Sequence, residues 1–405
     1  MNFKRILKKK SSSMSDVEIK KSKEDFIYKS LISTSSDAEV KTYDNIQDLI
    51  VVSVTTQGLL TLYFVDVSSF VVKGKKYELF AVYDGHGGRD SRTGIKKGGH
   101  EVAKECVSYL PKVIKESLKN NNSTVLEAFA GSFEKADKEH FLLDRDRFPE
   151  NVGSTAIVIL RSDKNLYVAN LGDSRAVICK DGKVFFETVD HDWTSLEEQK
   201  RIGINKDNQT YIINTDSGKK KFILNGKYLN GEKWNLATSR SFGDYHFKLG
   251  SDKPPITAKP KVDKFIIDKD MKLILVASDG IWENDRGLRS DHFLSKFIQI
   301  AKKQTSPDVD ECLKETCKEL VRWCMIDHLK LDFKNYGDNI ALIAIGLLNG
   351  QTKQEWFRDI KEWKGVYEDS NLILRDIDDT VQEDDNEDMD YGSDSESCKI
   401  DFTQL

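Results

Sequence analysis

The sequence predicts an α+β fold built from antiparallel sheets with helices packed outside them. Two observations carry the prediction. Short, β-rich apolar runs come in blocks, and helical blocks stand between those blocks instead of alternating with single strands. An Asp181-Gly182 pair between two strand-like runs adds a tight hairpin signal, which joins antiparallel neighbours.

The elements follow in order. Residues 1 to about 45 are rich in Lys, Ser and Asp with little apolar periodicity, and read as a disordered tail. Strand-like runs follow at 50–54, 59–67, 70–72 and 77–83. Over 102–118, Val102, Cys106, Val107, Leu110, Val113, Ile114 and Leu118 recur at three- and four-residue steps, the period of a helix with one buried face. Thr124 and Glu127 have capping-box spacing, so a second helix begins there with Leu126, Phe129, Ala130 and Phe133 inward. Runs at 155–160, 166–168, 176–180 and 183–186 form the next strand block. Residues 194 to about 235 are polar and lysine-rich. A long amphipathic helix is predicted over 308–329, a closing strand over 340–347 and a short helix within 354–367.

Charge is distributed unevenly along these 405 residues. The net charge of −5 combines a basic N-terminus (Lys4, Arg5, Lys8, Lys9, Lys10, Lys20, Lys21, Lys23) with a strongly acidic stretch over 376–396. Removing the tails leaves roughly 300 residues, enough for one sizeable core. The domain plan is therefore a basic tail over 1–45, a folded domain over 46–350, and a helical segment with an acidic tail over 351–405. Six cysteines show neither Cys-x-x-Cys pairs nor zinc spacing, which favours reduced thiols and a cytoplasmic or nuclear setting. No apolar run reaches the ~18 residues of a membrane span, and the N-terminus lacks the apolar core of a secretory signal. A basic tail without a basic folded patch or aromatic platform makes nucleic acid an unexpected partner, and a monomer is expected.

Three aspartates stand at the edges of the most apolar runs. Leu79-Phe80-Ala81-Val82-Tyr83 leads into Asp84-Gly85-His86-Gly87-Gly88, Leu273-Ile274-Leu275-Val276-Ala277 leads into Ser278-Asp279-Gly280, and Gly337-Asp338-Asn339 opens Ile340-Ala341-Leu342. An unpaired carboxylate buried within a strand costs several kcal/mol or else takes up a proton. At strand ends such groups can converge on a hard cation, and oxygen donors suit Mg²⁺ or Mn²⁺ over Zn²⁺. Taken singly, each of these aspartates could equally be a turn cap beside glycine.

These stretches resemble the metal-dependent protein phosphatases of the protein phosphatase 2C family. Phe80-Ala81-Val82-Tyr83-Asp84-Gly85-His86-Gly87-Gly88, Gly153-Ser154-Thr155-Ala156 and Ala169-Asn170-Leu171-Gly172-Asp173-Ser174-Arg175 match in the family's order. Leu236-Ala237-Thr238-Ser239-Arg240-Ser241-Phe242-Gly243-Asp244, Val276-Ala277-Ser278-Asp279-Gly280-Ile281-Trp282 and Gly337-Asp338-Asn339 continue it, over about residues 49–348. The resemblance implies an αββα sandwich, two central antiparallel sheets flanked by helices, with a flap near residues 194–235. It implies hydrolysis of phosphoserine or phosphothreonine in phosphorylated proteins by a metal-activated water, with two Mg²⁺ or Mn²⁺ ions. Asp84 would bridge both ions, the Gly85 carbonyl would bind one, and Asp279 and Asp338 would complete the other. Asp173 matches an aspartate of a further, weaker site, and His86 would protonate the leaving group. Gly153, Gly172 and Gly243 read as turn glycines, Arg175 and Arg240 as loop ties. Asp244 reads as a capping or loop-fixing residue, and His191 and His246 as flap or surface residues.

Two departures from the family's pattern bear on activity. The family's first motif has an Arg that holds substrate phosphate and a Glu-Asp pair; placing Asp66 on that aspartate puts Val65 at the Glu and Thr61 at the Arg. The second ion would then be held weakly, with water or Asp66 filling in. Residues 89–99 form a basic, glycine-flanked insertion, and Arg89 or Arg92 could take over the phosphate, since guanidinium pairs with it bidentately. The alternative is a pseudophosphatase, the same fold kept as a binding or scaffold module.

Overall fold

The computed structural model describes residues 39–43, 46, 48–56, 63–87, 98–143, 148, 152–192, 195–202, 210–214, 220–224, 235–248, 254–282, 289–331 and 340–365. Of these, 210–214, 220–224, 235, 246 and 326–331 are described by backbone alone.

The chain opens with strands β1 (Glu39–Thr42), β2 (Leu49–Thr55), β3 (Tyr63–Val72) and β4 (Lys75–Gly87). Helices α1 (Gly99–Ser117) and α2 (Val125–Ala136) follow, then a π-helical turn over Asp137–Phe141. Next come β5 (Val152–Ser162), β6 (Asn165–Leu171), β7 (Arg175–Lys180), β8 (Lys183–Glu187) and α3 (Leu196–Ile202). The middle of the chain holds β9 (Thr210–Asn214), β10 (Lys220–Leu224), β11 (Asn235–Leu236), β12 (Phe242–Gly243) and α4 (Tyr245–Lys248). The last part contains β13 (Lys261–Ile266), β14 (Met271–Ala277), α5 (Asp279–Trp282), α6 (Ser290–Lys303), α7 (Val309–Leu331), β15 (Ala341–Leu347) and α8 (Lys353–Glu362).

Two antiparallel sheets carry the fold. One runs β1-β2-β15-β14-β7-β8; the other runs β13-β6-β5-β4-β3, with β12 added beside β5. Three apolar layers hold them together. Between the sheets lie Val51, Phe80, Val82, Ile157, Ile159, Val168, Ile178, Ile274, Val276 and Ile343. The outer face of the first sheet packs on Phe293, Phe297, Leu313, Leu320 and Trp356 from α6, α7 and α8. The outer face of the second packs on Val102, Cys106, Leu110, Phe129 and Phe133 from α1 and α2. Alternation along each strand feeds both of its faces, so the central strands read as continuous apolar runs. The predicted αββα sandwich is what forms.

Local signals appear where the sequence placed them. Thr124 Oγ1 accepts from the Glu127 amide at 3.2 Å, and the Thr124 amide donates to Glu127 Oε2 at 2.9 Å, closing the capping box of α2. Asp181 (φ 48°) and Gly182 (φ 74°) make the β7–β8 hairpin, where left-handed residues match the strand twist. Cys312, Cys317 and Cys324 lie buried in the α6–α7 layer as free thiols.

Three details differ from expectation. β1 pairs with β2 inside the stretch read as tail, at Glu39↔Thr55 through Thr42↔Val52. Its residues alternate between exposed and half-buried, so it carries no apolar signature. The runs at 59–67 and 70–72 become one strand from Tyr63, with 57–62 outside the described residues. The stretch read as flap holds α3 and a small three-stranded sheet, β11-β10-β9. No helix among the described residues is long and apolar enough to cross a membrane.

Candidate active site at one end of the sandwich

The end of β4 supplies Asp84, Gly85 and His86, which pair across to Thr155, Ser154 and Gly153 of β5. Thr155 Oγ1 is 2.9 Å from Ser174 Oγ in the β6–β7 connection, so Asp173 is drawn to the same strand end. Gly172 makes this possible: its φ is +116°, and a Cβ there would stand 2.6 Å from the Thr155 methyl. Arg175, next in the chain, pairs with Ala277, two residues before Asp279 at the start of α5. Asp84, His86, Asp173 and Asp279 thus share one end of the sandwich. Asp84 and Asp279 are both buried.

The β3–β4 register decides what faces Asp84. Tyr63 lies directly opposite it, and Val65 opposite Val82 is the next β3 residue on that face. Asp66 pairs with Ala81 and points the other way, into the layer beneath α1 with Tyr83. The expectation that Asp66 could complete a second ion's ligands therefore meets a geometric obstacle: consecutive strand residues face opposite sides. Burial pushes the Asp66 carboxyl up to about 6, and the nearby Ser68 hydroxyl offsets only part of that. Its Oδ2 and the Tyr83 hydroxyl have no hydrogen-bond partner among the described residues.

His86 Nε2 is 2.6 Å from Asp244 Oδ2. Burial alone would lower the His86 pKa; the Asp244 charge and hydrogen bond, with the Asp173 charge, outweigh it and raise the value. Lys248 opposes them. The reading of Asp244 as a mere loop-fixing residue missed this contact, as did the reading of Gly153 as a turn glycine. Gly153 lies within β5, and a Cβ on it would stand 2.1 Å from Asp244 Oδ2 and 2.6 Å from His86 Nε2. The signal available in the sequence was the Gly243-Asp244 pair itself: both residues are left-handed, at φ 71° and 49°, which presents the aspartate at a tight corner.

Surrounding residues are braced by buried ion pairs. Asp137, in the π-helical turn, accepts from the Gly243 amide at 2.8 Å and from Lys248 Nζ at 2.7 Å. Arg240 donates to the buried Glu198 through Nε at 3.0 Å and through Nη2, and Nη1 reaches the Lys259 carbonyl at 3.0 Å. Arg175 binds Asp190 bidentately at 3.1 and 2.8 Å. His191 accepts from the Gly172 amide at Nδ1, 3.2 Å, and burial, helped by Arg240, lowers its pKa to about 3. It is a neutral structural residue. The side chain of His246 lies outside the described residues, as do Asp338, Arg89, Arg92 and Thr61.

Asp84, Asp173, Asp279 and the Gly85 carbonyl offer only hard oxygen donors, which fits a Mg²⁺- or Mn²⁺-type ion by chemistry. Among the described residues no group of three or more His, Cys, Asp or Glu side chains is arranged to hold a metal ion.

The protein phosphatase 2C family model matches residues 68–327. The chain is 31% identical over 302 residues to protein phosphatase 2C homolog 2 of Aspergillus fumigatus, covering 71% of this chain and 59% of that protein. It is 30% identical over 292 residues to protein phosphatase 2C homolog 3 of Schizosaccharomyces pombe, covering 70% and 60%. The chain thus spans 59% and 60% of the length of these two curated relatives. A crystal structure of a phosphatase from Toxoplasma gondii superposes with a TM-score of 0.56 at 17% identity, covering 77% of this chain and 96% of that one, a likeness of fold.

Proposed function

The chain belongs to the protein phosphatase 2C family, and from that premise we propose that it hydrolyses phosphoserine and phosphothreonine esters of proteins with the help of Mg²⁺ or Mn²⁺. The observation that supports this reading is the shared strand end of Asp84, His86, Asp173 and Asp279, tied together through Thr155 and Ser174. We assign the catalytic domain to residues 46–350.

Asp84, the Gly85 carbonyl, Asp279 and Asp338 would hold the ions, with Asp173 at a further, weaker position. A bound divalent ion supplies charge neutralisation on the phosphoryl oxygens and acidifies the attacking water. We propose unequal binding of two ions, because β3 turns Tyr63 and Val65 toward the Asp84 face in place of a carboxylate. His86 stands two residues from Asp84 and carries a raised pKa, properties suited to a general acid for the departing alkoxide. Arg89 and Arg92 are proposed to hold the substrate phosphate, the fork of the guanidinium matching its oxygens.

The test is hydrolysis of a phosphothreonine peptide with and without Mg²⁺ or Mn²⁺, with Asp279→Asn as the blank. Metal-dependent turnover that vanishes in the variant supports the enzyme. Folded protein that stays inactive at saturating metal overturns it and leaves a binding module. Arg89→Ala and Arg92→Ala should each raise KM for the peptide; unchanged kinetics would remove that assignment.

A further inference from the structure

We propose that Asp244 is the positioning residue for His86: it accepts a hydrogen bond from Nε2–H of the imidazole and so leaves Nδ1 as the nitrogen that serves the leaving group. The inference rests on the phosphatase reading above and adds the device that aims its acid.

The geometry leaves little freedom. A carboxylate only accepts, so the 2.6 Å contact between His86 Nε2 and Asp244 Oδ2 has Nε2–H donating. The same oxygen accepts from Ser241 Oγ at 2.5 Å, so two donors hold it in place. Asp244 is only 1% exposed, and such a charge persists in the interior when donors surround it.

The corner that presents the carboxylate is fixed from three sides. The Asp244 amide donates to the Val152 carbonyl at 2.8 Å. The Gly243 amide donates to Asp137 Oδ1 at 2.8 Å, and Lys248 bridges Asp137 Oδ2 to the Ser241 carbonyl at 2.7 and 2.8 Å. Below the pair, β5 offers Gly153, the one residue type that leaves room for both side chains. On the far side of His86, Gly99 at the start of α1 packs so close that a Cβ would stand 2.5 Å from the His86 backbone nitrogen and oxygen. Backbone and ring are therefore both held.

The step balances as follows. The P–O bond breaks with its electron pair passing to the serine or threonine oxygen, which takes the Nδ1 proton. Water forms the new P–O bond and releases a proton to solvent, and solvent returns one to Nδ1. Asp244 stays anionic throughout, and Nε2–H keeps facing it.

The decisive experiment compares Asp244→Asn with the wild type on two substrates. A phosphothreonine peptide has an alkoxide leaving group that needs a proton; p-nitrophenyl phosphate has an aryloxide that needs none. The variant should lose about 10²-fold in kcat on the peptide, with KM little changed and a far smaller loss on the aryl ester. Equal losses on both substrates would overturn the proposal. A second readout needs no turnover: ¹⁵N-histidine spectra, with His86→Asn to assign the signal, should show His86 protonated at Nε2 in its neutral form. A neutral Nδ1–H tautomer would overturn the proposal even if Asp244→Asn fails to fold. Wild-type protein that turns over neither substrate would sink the phosphatase reading, and the tautomer alone would then decide the contact.

Discussion

Two buried acids, one on a strand and one on a short helix, are driven in opposite directions. Asp66 lies on the helix-facing side of β3, where burial raises its pKa to about 6. Glu198 lies in α3 with no exposed surface, and burial alone would raise its value too. Hydrogen bonds from Arg240 and Ser239 and the charge of Arg201 reverse that, holding Glu198 at about 2. Depth is therefore not what sets a buried carboxylate; the donors and cations around it are. Asp66 has an oxygen without a hydrogen-bond partner among the described residues and the Tyr83 ring beside it, whereas Glu198 anchors two arginines.

The largest effect should come from removing the anchored acid. Glu198→Gln removes the charge that the buried Arg240 and the half-buried Arg201 share, and should destabilise the fold by about 3–5 kcal/mol in urea denaturation. A loss below about 1 kcal/mol would mean the node is solvated like a surface pair.

Next in size is Asp66, whose Oδ2 has no partner among the described residues. Asp66 binds its proton more tightly folded than unfolded, so stability should fall as pH rises from about 4 to about 6, then level off. Asp66→Asn should abolish that fall and, at pH 7.5, stabilise the protein by up to about 3 kcal/mol, the equivalent of the shift. Glu198 has the opposite sign: its contribution is complete above pH 4.5 and drains as pH falls toward 2. Denaturation midpoints across pH 3–8 for the wild type and Asp66→Asn separate the two slopes. Wild-type and Asp66→Asn profiles that run parallel from pH 4 to 6 would refute the Asp66 half of the comparison.

Arg240→Lys keeps the charge but loses the fork that serves both Glu198 and the Lys259 carbonyl. It should cost about 1.5–3 kcal/mol, measured as a shift in denaturation midpoint. The smallest effect belongs to Tyr83→Phe, which deletes a buried hydroxyl without a partner among the described residues and should change stability by less than about 1 kcal/mol, in either direction. A large loss there would show that the hydroxyl has a partner after all, such as a buried water.

Much of the architecture was legible because it depends on near neighbours in the chain. The Thr124–Glu127 box, the Asp181-Gly182 hairpin and the helical repeat of Val102, Cys106 and Leu110 span only a few residues each, and each formed as read. β1 was illegible because an edge strand with one half-buried face carries charged and polar residues. At the site, Asp84, His86 and Asp279 stood out beside glycines at strand ends. The obstacle to Asp66 as a ligand was not legible, because its place beside Val65 in sequence says nothing of the sheet face it takes; the β3–β4 register does.

By itself, then, the sequence determined most of the central strands and long helices, their buried faces and the order of the candidate ligands, all consequences of short-range periodicity and turn chemistry. Tertiary structure alone decided that Asp244 meets His86 across 158 residues, that Gly153 clears the space between them, and that Tyr63 and Val65 face Asp84. Those contacts follow from which strands pair and in what register, and register is settled only once a sheet buries a face, because a one-residue slip would turn that face to solvent.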